Sequence, residues 1–150
     1  MRIDDLVEAW RVNDKINLEL LGLCAAEHLE FKPGKGKTIR SNYVHLIGFR
    51  THWLAEKMPA EAATIPKLDW KTATREEITE GLQLSGTLME TRFRAMDAAD
   101  KPGRQDVLNF FAYCIAHEAN HRAQIEIALR LNGAEPEDKL LYRLWEWSRK

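Results

Sequence analysis

Residues 106–133 read DVLNFFAYCIAHEANHRAQIEIALRLNG. Val107, Phe110, Cys114, His117, His121, Ile125 and Ala128 recur at steps of three and four, the spacing that gathers side chains on one face of an α-helix. The run starts near Asp106 and stops at Gly133, a residue suited to the left-handed conformation that ends many helices. A helix of this length with one apolar stripe must bury that stripe against other elements.

The rest of the chain supplies those elements. Upstream, Thr74 and Glu77 form a T-x-x-E capping box. They open a helix with Ile78, Leu82, Ser85, Met89 and Met96 in line, flanked by Leu88 and Phe93 and closed by Lys101-Pro102-Gly103. A second helix is expected from a cap at Ser41 to Lys57, where Met58-Pro59 ends it. Its inward line contains His45, Phe49 and His52. The first helix spans Ile3 to His28, with Leu6, Trp10, Asn13, Asn17, Leu20 and Cys24 facing inward and His28 against its C-terminal dipole. Residues 31–37 carry Pro33, Gly34 and Gly36 and form a loop, and residues 59–71 form a connection. Leu140, Leu141, Leu144, Trp145 and Trp147 mark a short helical tail that docks on the rest. No alternating pattern suggests a strand. The pattern predicts an all-α, four-helix bundle with a C-terminal helical tail, a single domain over residues 1–150.

Composition narrows the function. The net charge of −1 gives no electrostatic footprint for nucleic acid or anionic lipid. No apolar run is long enough to span a membrane and no signal-peptide pattern is visible, so the cytoplasm is expected. Cys24 and Cys114 lie in separate apolar helical runs and form no CxxC pair, which fits a reducing compartment and not a disulfide framework.

The decisive stretch also carries chemistry. His117 and His121 are four residues apart, a turn of about 400°, so both imidazoles leave the helix on one face. Two readings follow: two core histidines, each neutral and hydrogen-bonded, or two ligands of one ion. A metal binds one nitrogen of each ring and leaves the other for an acceptor, which removes the difficulty of partnering both rings in a core. His45 is the best third ligand, since bundle metals are held from facing helices. Three histidines with one position open describe a catalytic site more than a closed structural one. His52 reads as a pocket or core residue. Phe49 shares the face of His45. Asn13 and Asn17 either line the pocket or satisfy a buried polar neighbour. Glu118 is a candidate base or support for a ligand, although a surface pair with Arg122 at i+4 is its default.

The segments Ser41-Asn42-Tyr43-Val44-His45-Leu46, Trp53-Leu54 and His117 to Ile125, with Trp10 to Asn17 in the first helix, resemble the DinB/YfiT-like metalloenzymes. The resemblance implies a four-helix bundle, often a homodimer, with one divalent ion, zinc or nickel, on His45, His117 and His121. It further implies a small-molecule substrate and, in some members, a low-molecular-weight thiol as cosubstrate for S-transfer or isomerisation. Two rivals use the same residues. His117-Glu118-Ala119-Asn120-His121 satisfies the H-E-x-x-H pattern of zinc metallopeptidases, with Glu118 as general base. A non-catalytic metal-binding or interaction bundle is the other.

Overall fold

The computed structural model describes residues 2–99 and 106–147, and the described residues are helical with no strand. The chain forms α1 (Ile3–Gly22), a 3-10 turn (Ala26–Glu30), α2 (Ile39–Ala55), α3 (Pro59–Ala62), α4 (Arg75–Ala98), α5 (Val107–Leu131) and α6 (Asp138–Leu144). The four long helices are the bundle. Each of α1 and α2 packs on both α4 and α5, so the order round the bundle is α1, α4, α2, α5. The helix that carries His117 and His121 therefore lies between α1 and α2.

Local chemistry sets the helix ends. Thr74 Oγ1 accepts the Glu77 N–H at 3.2 Å while Glu77 Oε2 accepts the Thr74 N–H at 2.8 Å, the reciprocal cap expected for α4. Asp106 caps α5 through Leu108 N–H at 3.0 Å, and Gly133 follows α5 with φ +74. Three boundaries differ from expectation. Helix α1 stops at Gly22, six residues before His28, whose imidazole Nδ1 instead accepts the Ala25 N–H at 3.1 Å and braces the 3-10 turn. Thr38, not Ser41, caps α2, its Oγ1 accepting the Ser41 N–H at 3.0 Å. The connection after α2 holds one helical turn, α3, begun by Pro59, whose fixed φ and missing N–H suit a first helical position. The proposed stop at Lys101-Pro102-Gly103 lies outside the described residues.

The core follows the expected lines of α1, α4 and α5. Leu6, Trp10, Leu20, Ile78, Leu82, Met89, Phe93, Phe110, Ile125 and Leu129 are buried in one cluster; full burial of one such side chain contributes about 1.5–3 kcal/mol. Trp10 stands edge-on to Phe93 at 5.2 Å and donates its indole N–H to the Gly86 carbonyl at 2.9 Å. Gly86 lets α1 approach α4 closely, because a Cβ there would lie 2.4 Å from Asp14 Oδ2.

Helix α2 departs from its expected orientation. Its buried line is Ile39, Asn42, Tyr43, Leu46, Ile47, Arg50 and Leu54. His45 and Phe49 lie at the margin, half-buried, and His52 faces solvent. The charged Arg50, not an imidazole, occupies the centre. The tail docks through Leu144, which is buried, while Trp145 is 73% exposed.

Candidate metal centre

His45 on α2 and His117 and His121 on α5 meet at the edge of the bundle. Each offers an imidazole nitrogen, and the three nitrogens lie within 4.8 Å of one another. Ring centroids are 5.3 Å apart for His45–His117, 4.6 Å for His45–His121 and 4.7 Å for His117–His121. The one-turn step between His117 and His121 comes from α5 alone; His45 is brought in by the packing of α2 on α5.

The surroundings fit a cation. His121 Nδ1 lies 2.8 Å from Asn42 Oδ1, so it carries the proton and donates it, leaving Nε2 with a free lone pair. His117 Nδ1 is buried with no hydrogen-bond partner, a cost that an ion would relieve. Phe49 stacks on the His117 ring at 3.9 Å and 17° and fixes its plane. All three rings resist protonation. Burial is the first cause in each, reinforced by the other histidines for His121, which is lowered to about 4, and by the positive charge of Lys37 for all three. A lone pair kept free of protons at neutral pH is what a ligand histidine requires.

A second polar assembly lies immediately inside the first. Glu118 is fully buried. Its Oε1 accepts from Arg50 Nε at 2.7 Å, and its Oε2 accepts from Arg50 Nη2 at 3.0 Å and from the side-chain amides of Asn13 and Asn17 at 2.7 Å each. The amide oxygens of the same two asparagines accept from Arg122 Nη1 at 2.8 Å each. Arg50 also donates to the Leu82 carbonyl at 3.0 Å, pairs with Asp14 at 2.7 Å and lies 4.9 Å over the Trp10 ring. Arg50 thus meets two carboxylates, and Arg122 is joined to Glu118 through the two asparagine amides. Burial opposes the charge of Glu118, but Arg50 and the two amides outweigh it and hold its carboxyl below the usual range. Burial likewise opposes the charge of Arg50, and Glu118 with Asp14 raises its pKa in spite of that. The pair is ionised.

A model of the DinB family matches residues 2–149. The chain belongs to the DinB family. No curated protein and no solved structure gives a significant match. The DinB match covers all three histidines together with the buried assembly behind them.

In this DinB chain the predicted site residues divide in two. His45, His117, His121 and Phe49 are brought together. Asn13 and Asn17 are not on the histidine cleft but in the core, bridging Glu118 and Arg122. His52 stands apart from the triad; it lines a groove with Val44, Ile47 and Thr51 and touches Trp53 edge-on at 5.4 Å. Glu118 is not a surface partner of Arg122. Fully buried and held by four N–H donors in the core, it does not suit the role of peptidase base. Cys114 is buried in the core, where burial pushes its thiol pKa up and keeps it protonated. Arg50, Asp14 and Asn42 were not singled out from the sequence. Arg50 had a signal: a charge on the line Tyr43, Leu46, Arg50, Leu54, spaced by three and four, opposite two inward asparagines.

Proposed function

We propose that this DinB-family chain is a metal-dependent enzyme acting on a small molecule, with one divalent ion, zinc or nickel, held by His45, His117 and His121. The carrying observation is the convergence of three imidazoles from two helices, with one nitrogen of each within 4.8 Å of the others. When bound, the ion supplies Lewis acidity able to lower the pKa of a low-molecular-weight thiol, the cosubstrate that the family resemblance suggests.

The chain's own residues do the rest. Asn42 sets the tautomer of His121, and Phe49 sets the plane of His117. The Glu118–Arg50 pair fixes the rotation of α5, because any turn that moved the imidazoles off the cleft would pull a buried carboxylate from its four donors. His45 also lines a cleft with Lys37, Ser41, Val44 and Trp70, where a small substrate would have access to an ion held by the triad, and among the described residues there is no strand for a long peptide to align on. Three histidines with no fourth side-chain ligand among the described residues favour an open, reactive position over a structural staple. A two-fold homodimer in the cytoplasm is the expected setting; light scattering showing only a 17.3 kDa monomer at micromolar concentration would remove the dimer from the proposal.

The test is metal analysis followed by assay. Purified protein dialysed against zinc or nickel is expected to hold one ion per chain, and His117→Ala to lose it with helical circular dichroism retained. Metal-loaded protein is then offered thiols and small electrophiles. Full stoichiometric metal in His117→Ala at unchanged affinity sinks the ligand assignment. A metal-loaded protein silent against a broad thiol panel sinks the thiol chemistry.

A further inference from the structure

Two hollows meet along α2. One, about 370 Å³, opens beside His45 and is lined by Lys37, Ser41, Val44 and Trp70. The other, about 470 Å³, continues from Val44 along Ile47 and Thr51 beneath Ile65, Pro66 and Leu68. Val44 lines both, which sets a polar mouth beside an apolar length, and the two together are called the groove. Its described lining contains two cations, Lys37 and Lys67, and no carboxylate. Asp69, next to Trp70, is not in that lining and accepts the Lys71 N–H at 2.7 Å.

The placement of Lys37 is unfavourable as it stands. Its charge reaches all three imidazoles, so it also opposes a divalent ion held by them. An anion between the ammonium and the open side of the ion turns that repulsion into two attractions. The first turn of α2 carries no acidic residue, so the positive end of its dipole at the same mouth acts in the same sense. Trp70, 55% exposed, offers an apolar wall beside this point. The lining of the mouth holds one lysine and one serine and no arginine, which matches a monoanion better than a phosphate group.

We propose that the groove is a binding site for small carboxylates with an apolar body. The carboxylate lies between Lys37 and the histidine triad, and the body runs past Trp70 and Val44 under residues 65–68. The inference rests on the proposed metal site for half of the anion's attraction, and on Lys37 and the groove for the rest.

The experiment uses 4-phenylbutanoate and its neutral counterpart 4-phenylbutanamide as probes, titrated calorimetrically into zinc-loaded and metal-free full-length protein. The acid is expected to bind the zinc form at least tenfold tighter than the amide. Lys37→Met should cut that preference in the zinc form and erase it in metal-free protein while retaining one zinc per chain, and Lys37→Arg should restore most of it. Trp70→Ala should weaken both probes alike. Equal affinity for acid and amide, indifference to Lys37→Met, or no binding by any straight-chain or phenyl carboxylate of four to ten carbons at 10 mM overturns the proposal. If the protein takes up no zinc, the metal reading fails by itself, and a Lys37-dependent preference for the acid in metal-free protein still upholds the groove. Zinc uptake without that preference overturns the groove alone.

Discussion

Two faces of α5 bear the same spacing and opposite chemistry. His117 and His121 send imidazoles to a half-open cleft; Glu118 and Arg122, each one residue later, send charges into a closed core. About 100° of helix rotation separates the two faces. On the cleft side, His117 Nδ1 is buried without a hydrogen-bond partner. On the core side, the Glu118 carboxylate is fully satisfied by Arg50, Asn13 and Asn17. The contrast teaches how to tell structural polarity from functional polarity. The Glu118 carboxylate, with its donors in place, holds the fold, whereas the His117 nitrogen is left for a ligand.

The contrast breaks first at Glu118. Glu118→Ala leaves Arg50 in the core with only Asp14 to answer its charge, a loss of about 3–5 kcal/mol to be read from urea unfolding of metal-free protein. His117→Ala should cost far less, since its ring already meets solvent. Equal destabilisation by the two variants would abolish the division between the faces. Glu118→Gln, which keeps the shape and loses the charge, should fall between them.

The next effect sharpens the cleft side. Asn42→Ala removes the acceptor that fixes the His121 tautomer and should weaken metal binding about 10–100-fold, measured by competition with a chelating dye, with little change in helical content. An affinity equal to wild type would mean that the Asn42 contact does not act on a ligand. Chelation itself should leave a cooperatively folded bundle, because the core side needs no ion.

Gly86→Ala tests the core side without touching a charge. The added Cβ collides with the Asp14 carboxylate and pushes it from Arg50, at a cost of about 1–3 kcal/mol visible as a lower melting temperature. Metal affinity should hardly move. A neutral or stabilising alanine, as helix propensity alone would give, would show that α1 can draw back from α4.

The smallest effect is proton linkage. The three histidines have lowered pKa values in the fold, His121 to about 4, whereas unfolded imidazole titrates near about 6.5. Between those values the unfolded chain binds more protons than the folded one, so metal-free stability is full above that range and falls as pH drops through it. Carboxylates titrate nearby, so the diagnostic is the difference between wild type and His121→Gln: the variant should show the shallower decline. Identical slopes would show that His121 is not protected from protonation.

Much of this was legible in the sequence. The inward lines of α1, α4 and α5 are near-continuous apolar stripes, and such stripes have one way to face. The His117–His121 pair follows from helix geometry alone. Helix α2 was harder, because Leu46, Ile47, Phe49 and Trp53 spread its apolar residues round the cylinder and give no dominant face. Spacing alone therefore puts the histidines at its centre, where Arg50 stands. Glu118 and Arg122 misled for a related reason: at i, i+4 they look like a solvated pair, and only tertiary packing shows that each is claimed by another helix. The two asparagines of α1 were the visible trace of that packing.

The order of the helices round the bundle has a consequence for how such a chain can diversify. The three histidines stand on two helices locked together by the buried ions, whereas the mouth of the groove is walled by Lys37 before α2 and by residues 65–70 after α3. Connectors tolerate changes of length and composition that helices do not. Recognition and reactivity are therefore written on separable parts of the chain. Exchanging residues 31–38 and 65–70 should retune which molecule is accepted while the imidazole cluster, anchored from behind, keeps its shape.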